Sequence, residues 1–487
     1  MRYKAADIAY NRPLPSHPDN GEEAAYPYVA NFSKGMPHNS LGEVDPVAYA
    51  ALIHALTTGS EAAFESIPLG GTRKLRNPQC GLATDLEGPD CSHLAMPPAP
   101  RIDSPENSGE IIELYWMALC RDVPFSRYDT DATVAAACAD LNQCSDFRGP
   151  KMLGQVTPQT LFRFSTPGDV VGPYVSQFFM ADVNIGAQVI PARMTVGLPA
   201  TYMTTYADWL AIQNGFDPGA LEPFDSVKRM PRNGRDLATY VHLDLLYQAY
   251  FVATLRLMGM GAAVDAGNPY TRYTRTDAFG TFSPMHLMSL VTEVATRALK
   301  AVWFQKWYVH RRLRPEEFGG RIHNHLTGVA SYPIDAEVLN SQAVADVFSQ
   351  YGTYLLPQPW PEACPLHPAY GSGHATVAGA CVTILKAWFD DEAQWPNPME
   401  VVANGTDVRP YRGLDAGQMT IGGELNKVAA NVASGRNMGG IHWRTDGVEG
   451  LKLGEAVAIG ILEEQKLTYQ EPHSFSLTKF DGTRITI

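Results

Sequence analysis

The residues best suited to chemistry lie in the C-terminal half of the chain, in two histidine clusters and a cationic run. They are His367 with Ser372-Gly373-His374, then Arg436 with His442 and Asp446, and, before both clusters, the run from Lys306 to Arg314. The rest of the chain is acidic, with 51 Asp and Glu against 38 Lys and Arg. Clustered cations are therefore no part of a generally basic surface, and the three groups together predict a buried pocket for a tetrahedral oxyanion.

The cationic run lies near the end of a strongly apolar predicted helix that Pro315 is expected to stop. Lys306 and Arg314 are eight residues apart, a little over two helical turns, so both side chains can lean the same way. A basic helix end favoured by the helix dipole is the plain alternative. The apolar neighbours of Lys306 instead predict partial burial, which calls for an anionic partner. The remaining cations are interpreted as solvated or structural: His310, Arg311 and Arg312.

The Ser372-Gly373-His374 turn is predicted to open a helix near Gly373. Serine can cap that helix, and the first backbone N–H groups then offer an anion site. Gly373 lets the backbone approach a ligand, and His374 is a candidate acid or base. An ordinary helix cap with an incidental histidine is the alternative interpretation of this tripeptide.

The second cluster has the spacing of an oriented histidine. Asp446 lies four residues after His442, so its carboxylate can accept the Nδ1–H of the imidazole and leave Nε2 free as a nucleophile or metal ligand. Arg436 ends the preceding helix. Two cations, a third arginine, a helix N-terminus and two histidines are the parts that stabilise a trigonal-bipyramidal oxyanion with one apical imidazole.

The elements that must position these residues are mostly helices, so we predict an all-α fold with minor short strands at 188–196 and 475–487. The predicted helices are 46–58, 106–123, 131–142, 203–214, 236–259, 284–310, 336–351, 373–390, 419–436 and 446–465. Residues 1–105 are expected to form a loop-rich arm that packs on the body or on a neighbouring subunit. Residues 106–487 form the predicted body, with the site in 303–446.

Composition limits the partners. A net charge of −13 argues against nucleic acid and anionic membranes, which reward a broad basic face. The chain has neither a signal-type apolar stretch at its start nor an apolar run of membrane-spanning length, so the expected location is the cytoplasm, with the periplasm and the exterior left open. Among seven cysteines, Cys80 and Cys91 flank a loop where a disulfide is geometrically easy; two buried thiols are the alternative.

In these motifs the chain resembles the vanadium-dependent haloperoxidases, which share their pocket with the type 2 phosphatidic acid phosphatases. The matching pieces are Lys306…Arg314-Pro315, Ser372-Gly373-His374 and Ser434-Gly-Arg436…His442…Asp446. Two departures are Gly371, where the family usually has proline, and the glycine between Ser434 and Arg436. Within the family, the spacing from Lys306 to Arg314, His367 and the stretch from Tyr28 to Asp45 resemble the algal and cyanobacterial bromoperoxidases.

The resemblance implies an all-α body with two four-helix bundles, assembled as a homo-oligomer from a dimer up to a dodecamer. It implies vanadate bound through His442, oriented by Asp446, with its oxygens held by Lys306, Arg314, Arg436, Ser372 and Gly373. His374 would assist proton transfer, and His367 and Trp303 would lie beside the halide. The implied reaction oxidises bromide with hydrogen peroxide to hypohalous acid, which halogenates small organic acceptors. Iodide and chloride are further candidate halides, and a titrating His367 favours bromide over chloride.

Two other functions use the same residues. In an acid phosphatase His442 attacks a phosphoryl group and His374 protonates the leaving oxygen. In a phosphate- or vanadate-binding oligomer the cations and the helix N-terminus hold the anion without chemistry.

Overall fold

The computed structural model describes residues 2–487, with the side chains of Arg2, Ala5 and Ala9 outside the description. The α-helices of the described residues are α1 Arg2–Tyr10, α2 Glu22–Ala25, α3 Pro46–Thr58, α4 Glu61–Glu65, α5 Pro105–Cys120, α6 Ala132–Leu141, α7 Tyr206–Gln213, α8 Gly234–Leu243, α9 Gln248–Gly259, α10 Pro284–Phe304, α11 Pro315–Leu326, α12 Ala336–Leu339, α13 Gln342–Tyr351, α14 Gly373–Trp388, α15 Ile421–Met438 and α16 Arg444–Lys466. Among these residues the strands form only three antiparallel pairs: β1 Val183–Ile185 with β2 Gln188–Ile190, β3 Met399–Val401 with β4 Val408–Pro410, and β5 Ser476–Thr478 with β6 Arg484–Thr486. The predominantly helical class predicted from the sequence is confirmed.

Several helices begin where their capping residues predicted. Asp45 precedes Pro46 at the start of α3, and its carboxylate accepts hydrogen bonds from the backbone N–H groups of Val47 and Ala48. Proline at the first helical position costs nothing, because its missing N–H would be unpaired there in any case. The predicted strand at 188–196 is wrong beyond residue 190, while the hairpin within 475–487 is present.

The prediction of one helix over 236–259 is wrong. The chain leaves the helix at Asp244, which has an extended backbone with ψ 156°, and re-enters it at Gln248. The sequence offers no glycine or proline at this break. A tertiary contact accompanies it, because the Asp244 carboxylate binds His374 at the start of α14, and such contacts override helical propensity.

The prediction that Lys306 and Arg314 share one helix is also wrong. Helix α10 continues as a π-helical turn, Gln305–His310, which ends at Arg311 with a positive φ of 41°. Pro315 does not merely stop a helix; it is the first residue of α11. Lys306 therefore lies on the π-helical turn, Arg314 lies at the start of the next helix, and the two approach the same space from different elements.

The core is centred on α14 and α15, which are almost wholly buried. Helix α14 packs against α10, α15 and α16. Glycines allow the close approach of α14 and α16: a Cβ at Gly379 would clash with the carbonyl of Leu451, and one at Gly454 with that of Thr376. This packing sets the N-terminus of α14 beside that of α16, and both carry predicted site residues.

Residues near the N-terminus pack directly on the body. The Glu317 carboxylate accepts hydrogen bonds from the backbone N–H groups of Ser33 and Lys34. Lys34 is fully buried, forms an ion pair with Glu316, and donates to the carbonyl oxygens of Glu362 at 2.9 Å and Cys364 at 2.8 Å. The N-terminal region thus supports the loop that leads to His367.

All seven cysteines are free thiols, so the disulfide considered for Cys80 and Cys91 is not formed. Cys91 is buried and donates to the carbonyl oxygen of Ala83 at 3.1 Å. Over residues 2–487, the helices include none with the length and apolar character needed to span a membrane.

Candidate active site

Three buried cations converge where the sequence predicted an anion pocket. Lys306 and Arg314 are 0% exposed and Arg436 is 7% exposed. In the described part of the chain none of them has a carboxylate within ion-pair distance; they donate to carbonyl oxygens instead. The sequence predicted partial burial and an anionic partner for Lys306, and the structure corrects both points. Positive charge buried without a counter-ion is costly, so the pocket favours an anionic guest.

The carbonyl contacts fix each cation in place. The Lys306 Nζ donates to the carbonyl oxygens of Pro368 at 2.9 Å and Ala369 at 2.8 Å. Arg436 donates from Nη1 to the carbonyl oxygen of Val241 at 2.7 Å, while its Nε is buried with no hydrogen-bond partner. An unpaired buried guanidinium N–H is unusual, and it marks a donor available to a ligand.

Burial and mutual repulsion act on all three charges. Burial lowers the pKa of Lys306 well below its usual range, and the neighbouring Arg314 lowers it further. Burial also lowers the pKa of Arg436 to about 10. An anion bound among these groups would restore their full charge, so binding and protonation support each other.

His442 is fixed in the neutral tautomer that carries its proton on Nδ1. Its Nδ1 donates to the Asp446 Oδ2 at 2.7 Å, and its Nε2 lies 3.0 Å from the Arg314 Nη1. Arginine has only donors, so Nε2 must be the acceptor. Burial, together with Arg314 and Lys306, lowers the pKa of His442 well below its usual value. The imidazole can offer the Nε2 lone pair to a metal or a phosphoryl group in place of the Arg314 N–H.

Behind His442 runs a chain of buried charges. Asp446 Oδ1 accepts from Arg312 at 3.0 Å, and Arg312 also donates to the Glu110 Oε2 at 3.0 Å. Thr445 donates its backbone N–H to Glu110 at 2.7 Å. Arg312, interpreted from sequence as solvated or structural, is buried and holds the carboxylate that orients His442.

The N-terminus of α14 forms another wall of the pocket. Ser372 caps the helix by accepting from the N–H of Ala375 at 3.4 Å, and its own N–H donates to the carbonyl oxygen of Asp446 at 2.8 Å. At Gly373 a Cβ would lie 3.2 Å from the Trp303 ring. A side chain at this position would crowd the indole, which accounts for the glycine.

His374 has a partner that the sequence did not reveal. Its Nε2 lies 2.9 Å from the Asp244 Oδ1, and the Asp244 side chain is 3% exposed. The carbonyl of Val241, one helical turn earlier, holds Arg436. The C-terminal end of α8 therefore positions two pocket residues. The predicted helix 236–259 concealed this role, and only the isolated carboxylate within an apolar stretch pointed to it.

His367 and Trp303 form one edge of the pocket. Their ring centroids are 4.7 Å apart, and the Arg314 Nη2 lies 2.9 Å from the His367 Nδ1. Burial, followed by Arg314 and Lys306, lowers the pKa of His367 well below its usual value. His367 is therefore neutral, and the sequence argument that its titration favours bromide is not supported.

Vanadate(V) fits the residues present. Among the described residues, the three cations donate to carbonyl oxygens and form no ion pair, and the Nε of Arg436 lacks an acceptor. His442 presents a ring nitrogen that carries no proton. Tetrahedral and trigonal-bipyramidal oxyanions need this combination of donors and charge.

Replacing Asp244 with asparagine should impair His374 while leaving the anion pocket intact. The variant removes the charge that holds the imidazole, and loss of such an outer partner costs roughly 10- to 100-fold in activity. We expect that loss in kcat for the reaction that the resemblance implies, bromide oxidation with peroxide, with vanadate still retained in a gel-filtered sample. If instead vanadate retention falls in proportion to activity, Asp244 acts on the pocket rather than on His374.

A second carboxylate–histidine group lies beside the pocket. The His242 Nδ1 lies 2.7 Å from a Glu222 oxygen and its Nε2 lies 2.6 Å from a Glu362 oxygen, while its ring stacks on Trp360 at 4.3 Å. Burial lowers the pKa of His242, but the two carboxylates outweigh it and raise the pKa to about 9. The protonated histidine thus ties α8 to the loop before His367.

This pair of contacts predicts a pH-dependent stability. Because the folded pKa of His242 exceeds the ordinary histidine value of 6.5, the stabilisation is complete below pH 6.5 and is lost as pH rises through about 9. The melting temperature of wild type should exceed that of His242→Gln at pH 6, and the gap should close by pH 10. A gap that stays constant over this range would show that protonation of His242 contributes nothing.

Comparisons with known proteins identify relatives of this chain. The family model described as the VCPO second helical-bundle domain matches residues 286–470. The vanadium-dependent bromoperoxidase of Corallina pilulifera is 38% identical over an alignment that covers 100% of this chain and 97% of the relative. That of Ascophyllum nodosum is 36% identical, covering 94% and 86%.

A solved structure shows the same fold. The homohexameric second vanadate-dependent bromoperoxidase of Ascophyllum nodosum superposes with a TM-score of 0.95 at 32% identity, covering 100% of this chain and 89% of that one. Sequence and structure agree over the full chain, and they bear out the resemblance drawn from the motifs. The chain belongs to the vanadium-dependent bromoperoxidase family.

Proposed function

We propose that the protein oxidises bromide with hydrogen peroxide in a vanadate-dependent reaction, H2O2 + Br− + H+ giving HOBr + H2O. The observation that carries the proposal is the neutral Nε2 of His442 beside Lys306, Arg314 and Arg436, three buried cations without carboxylate partners. The full-length similarity to bromoperoxidases supports bromide as the halide. Iodide, which is easier to oxidise, is a second substrate of the same site, and chloride is a weaker candidate.

The residues that would hold vanadate follow from the contacts. His442 supplies the metal ligand through Nε2, and Asp446 fixes its orientation. The oxygens would be neutralised by the three cations and hydrogen-bonded by the Ser372 hydroxyl and the Gly373 N–H. When bound, vanadium(V) supplies Lewis acidity that activates peroxide toward halide without changing its own oxidation state.

The remaining chemistry belongs to the chain. The reaction consumes one proton, and His374 is the group that moves it, because Asp244 holds its Nε2 and leaves Nδ1 for exchange with the reactants. The pair formed by Trp303 and His367 borders the side from which halide would approach. Neutral His367 adds no charge there, and Arg314 keeps its ring in place.

Two further features of the proposal concern partners. Hypobromous acid leaves the pocket or meets a small organic acceptor, and the protein acts as a homo-oligomer. The homohexameric assembly of the similar Ascophyllum nodosum protein supports the second point. Native mass spectrometry of the purified protein tests it directly, and a monomer at micromolar concentration would contradict it.

One assay separates bromide oxidation from the phosphatase reading of the same pocket. The protein is loaded with orthovanadate, excess is removed, and bromination of a phenolic dye with peroxide and bromide is measured. Hydrolysis of an aryl phosphate is measured in parallel with vanadate-free protein. We expect fast bromination and slow hydrolysis. Absent bromination with fast hydrolysis would establish the acid phosphatase, with His442 as its nucleophile.

A further inference from the structure

A cationic segment from Arg73 to Arg76 lies outside every motif considered so far. It carries three cations in four residues, Arg73, Lys74 and Arg76, in a chain whose net charge is −13. Lys74 and Arg76 are exposed and Arg73 is half-buried. The concentration of one charge at a single place in an acidic molecule calls for a physical reason.

The backbone of this segment is attached to the halide-side edge of the pocket. The Trp303 indole N–H donates to the carbonyl oxygen of Arg76 at 3.1 Å, and the N–H of Arg76 donates to the carbonyl oxygen of Leu366 at 2.9 Å. Leu366 precedes His367, whose ring lies 4.7 Å from that of Trp303. One hydrogen bond therefore joins the backbone of the cationic segment to Trp303, and a second joins it to the residue before His367.

The charges of the segment are not cancelled locally. Across the described residues, none of its three cations forms an ion pair, whereas Lys300 on α10 is paired with Asp85 at 2.7 Å. Glu362, an acidic neighbour of Arg73, is already bound to His242 at 2.6 Å. Arg73 reaches only the carbonyl oxygen of Glu362, at 3.4 Å. The segment thus presents net positive charge to solvent beside the pocket.

We infer that the cationic segment collects small monovalent anions for the halide side of the site, an inference that rests on the proposed function. An unpaired positive surface raises the local concentration and encounter rate of anions, and the effect weakens with salt. Bromide is attracted, while hydrogen peroxide is neutral and is not. The two substrates of one reaction therefore respond differently to the same charge.

The test reverses exposed charge without touching the backbone contacts. Arg76→Glu and the double variant K74E/R76E are compared with Lys466→Glu, which changes the same charge as the single variant. Lys466 is exposed at the far end of α16, twenty residues from Asp446, which is about 30 Å along the helix. Each vanadate-loaded protein is assayed at about 10 mM ionic strength, where charges act over roughly 30 Å, and again in 0.15 M sodium nitrate.

We expect kcat/KM for bromide to fall about 10-fold in the double variant at low salt, the lower end of the range for electrostatic steering. Nitrate should shrink the difference. The kcat at saturating bromide and kcat/KM for peroxide should stay at wild-type values, and Lys466→Glu should lose clearly less kcat/KM for bromide than Arg76→Glu, because its charge is about one screening length away. A parallel fall in kcat/KM for peroxide, a salt-independent loss, or an equal loss in the control would overturn the inference.

Failure of the inference and failure of the proposed function are distinguishable. If wild type does not oxidise bromide, the proposed function fails. If wild type oxidises bromide and K74E/R76E does so with the same kcat/KM at low salt, only the inference fails. Melting temperatures of the variants verify that the exposed substitutions leave the fold intact.

Discussion

Replacing His442 with alanine should abolish vanadate retention and, with it, bromide oxidation. The variant removes the imidazole whose proton is fixed on Nδ1 by Asp446 and whose Nε2 faces the cations. Loss of a direct ligand should lower vanadate affinity by more than the roughly 100-fold that follows the loss of an outer-shell partner. The vanadium-to-protein ratio after gel filtration, measured by plasma mass spectrometry, should fall from near one to near zero.

The fold should survive this substitution. Asp446 keeps its hydrogen bonds from the Trp443 N–H at 3.0 Å and from Arg312 at 3.0 Å, so no buried charge is left without partners. His286→Ala is the control, because His286 is also a hydrogen-bonded histidine with limited exposure. It lies at the N-terminal end of α10, whereas Lys306 of the pocket follows the C-terminal end of that helix. Full vanadate retention by His442→Ala would show that the cations alone hold the anion, as in a non-catalytic binding protein.

The sequence predicted the members of the pocket better than the elements that carry them. Lys306, Arg314 and His442 were predicted to face one anion, and the structure brings them together. The chemistry requires these residue types, and their types and spacing can be recognised in the sequence. The predicted placement on one helix was wrong. Lys306 lies on the π-helical turn after α10, and Arg314 lies at the start of α11.

Residues that position a pocket side chain were harder to predict from the sequence. Asp244 and Arg312 both act through a tertiary contact with a pocket residue, and neither has a fixed spacing from that residue along the chain. Asp244 was hidden in an uninterrupted helical pattern, and Arg312 was hidden among other cations. Their burial could not be read from the sequence, because it depends on α5, α14 and α16 meeting around them.

The N-terminal region contributes more to the pocket than its sequence predicted. Its loops show no periodicity, so the sequence predicted only an arm that packs on something. In the structure Lys34 is buried against the loop before His367, and Arg76 bonds the indole of Trp303. Irregular backbone carries donors and acceptors that must find partners, and here those partners include the wall of the pocket.

Replacing Arg312 with methionine should both destabilise the fold and weaken vanadate binding. The methionine leaves Asp446 and Glu110, both buried, without their shared cation. Breaking a buried ion pair by removing one partner costs about 3–5 kcal/mol. The urea midpoint at fixed protein concentration should fall accordingly, and vanadate should be retained less tightly because Asp446 no longer holds His442 in one orientation.

The control for this variant is Lys427→Met, which breaks a buried ion pair on α15. Lys427 is 0% exposed and pairs with Glu424 at 2.7 Å, without contact to Asp446. We expect a similar fall in the urea midpoint for both variants, but reduced vanadate affinity only for Arg312→Met, measured by equilibrium dialysis well below the unfolding transition. Equal vanadate affinity in the two variants would mean that Arg312 supports the fold alone. A loss confined to Arg312→Met would show that the charge behind Asp446 sets how firmly His442 holds its ligand, since stability is matched and only the orientation of the imidazole differs.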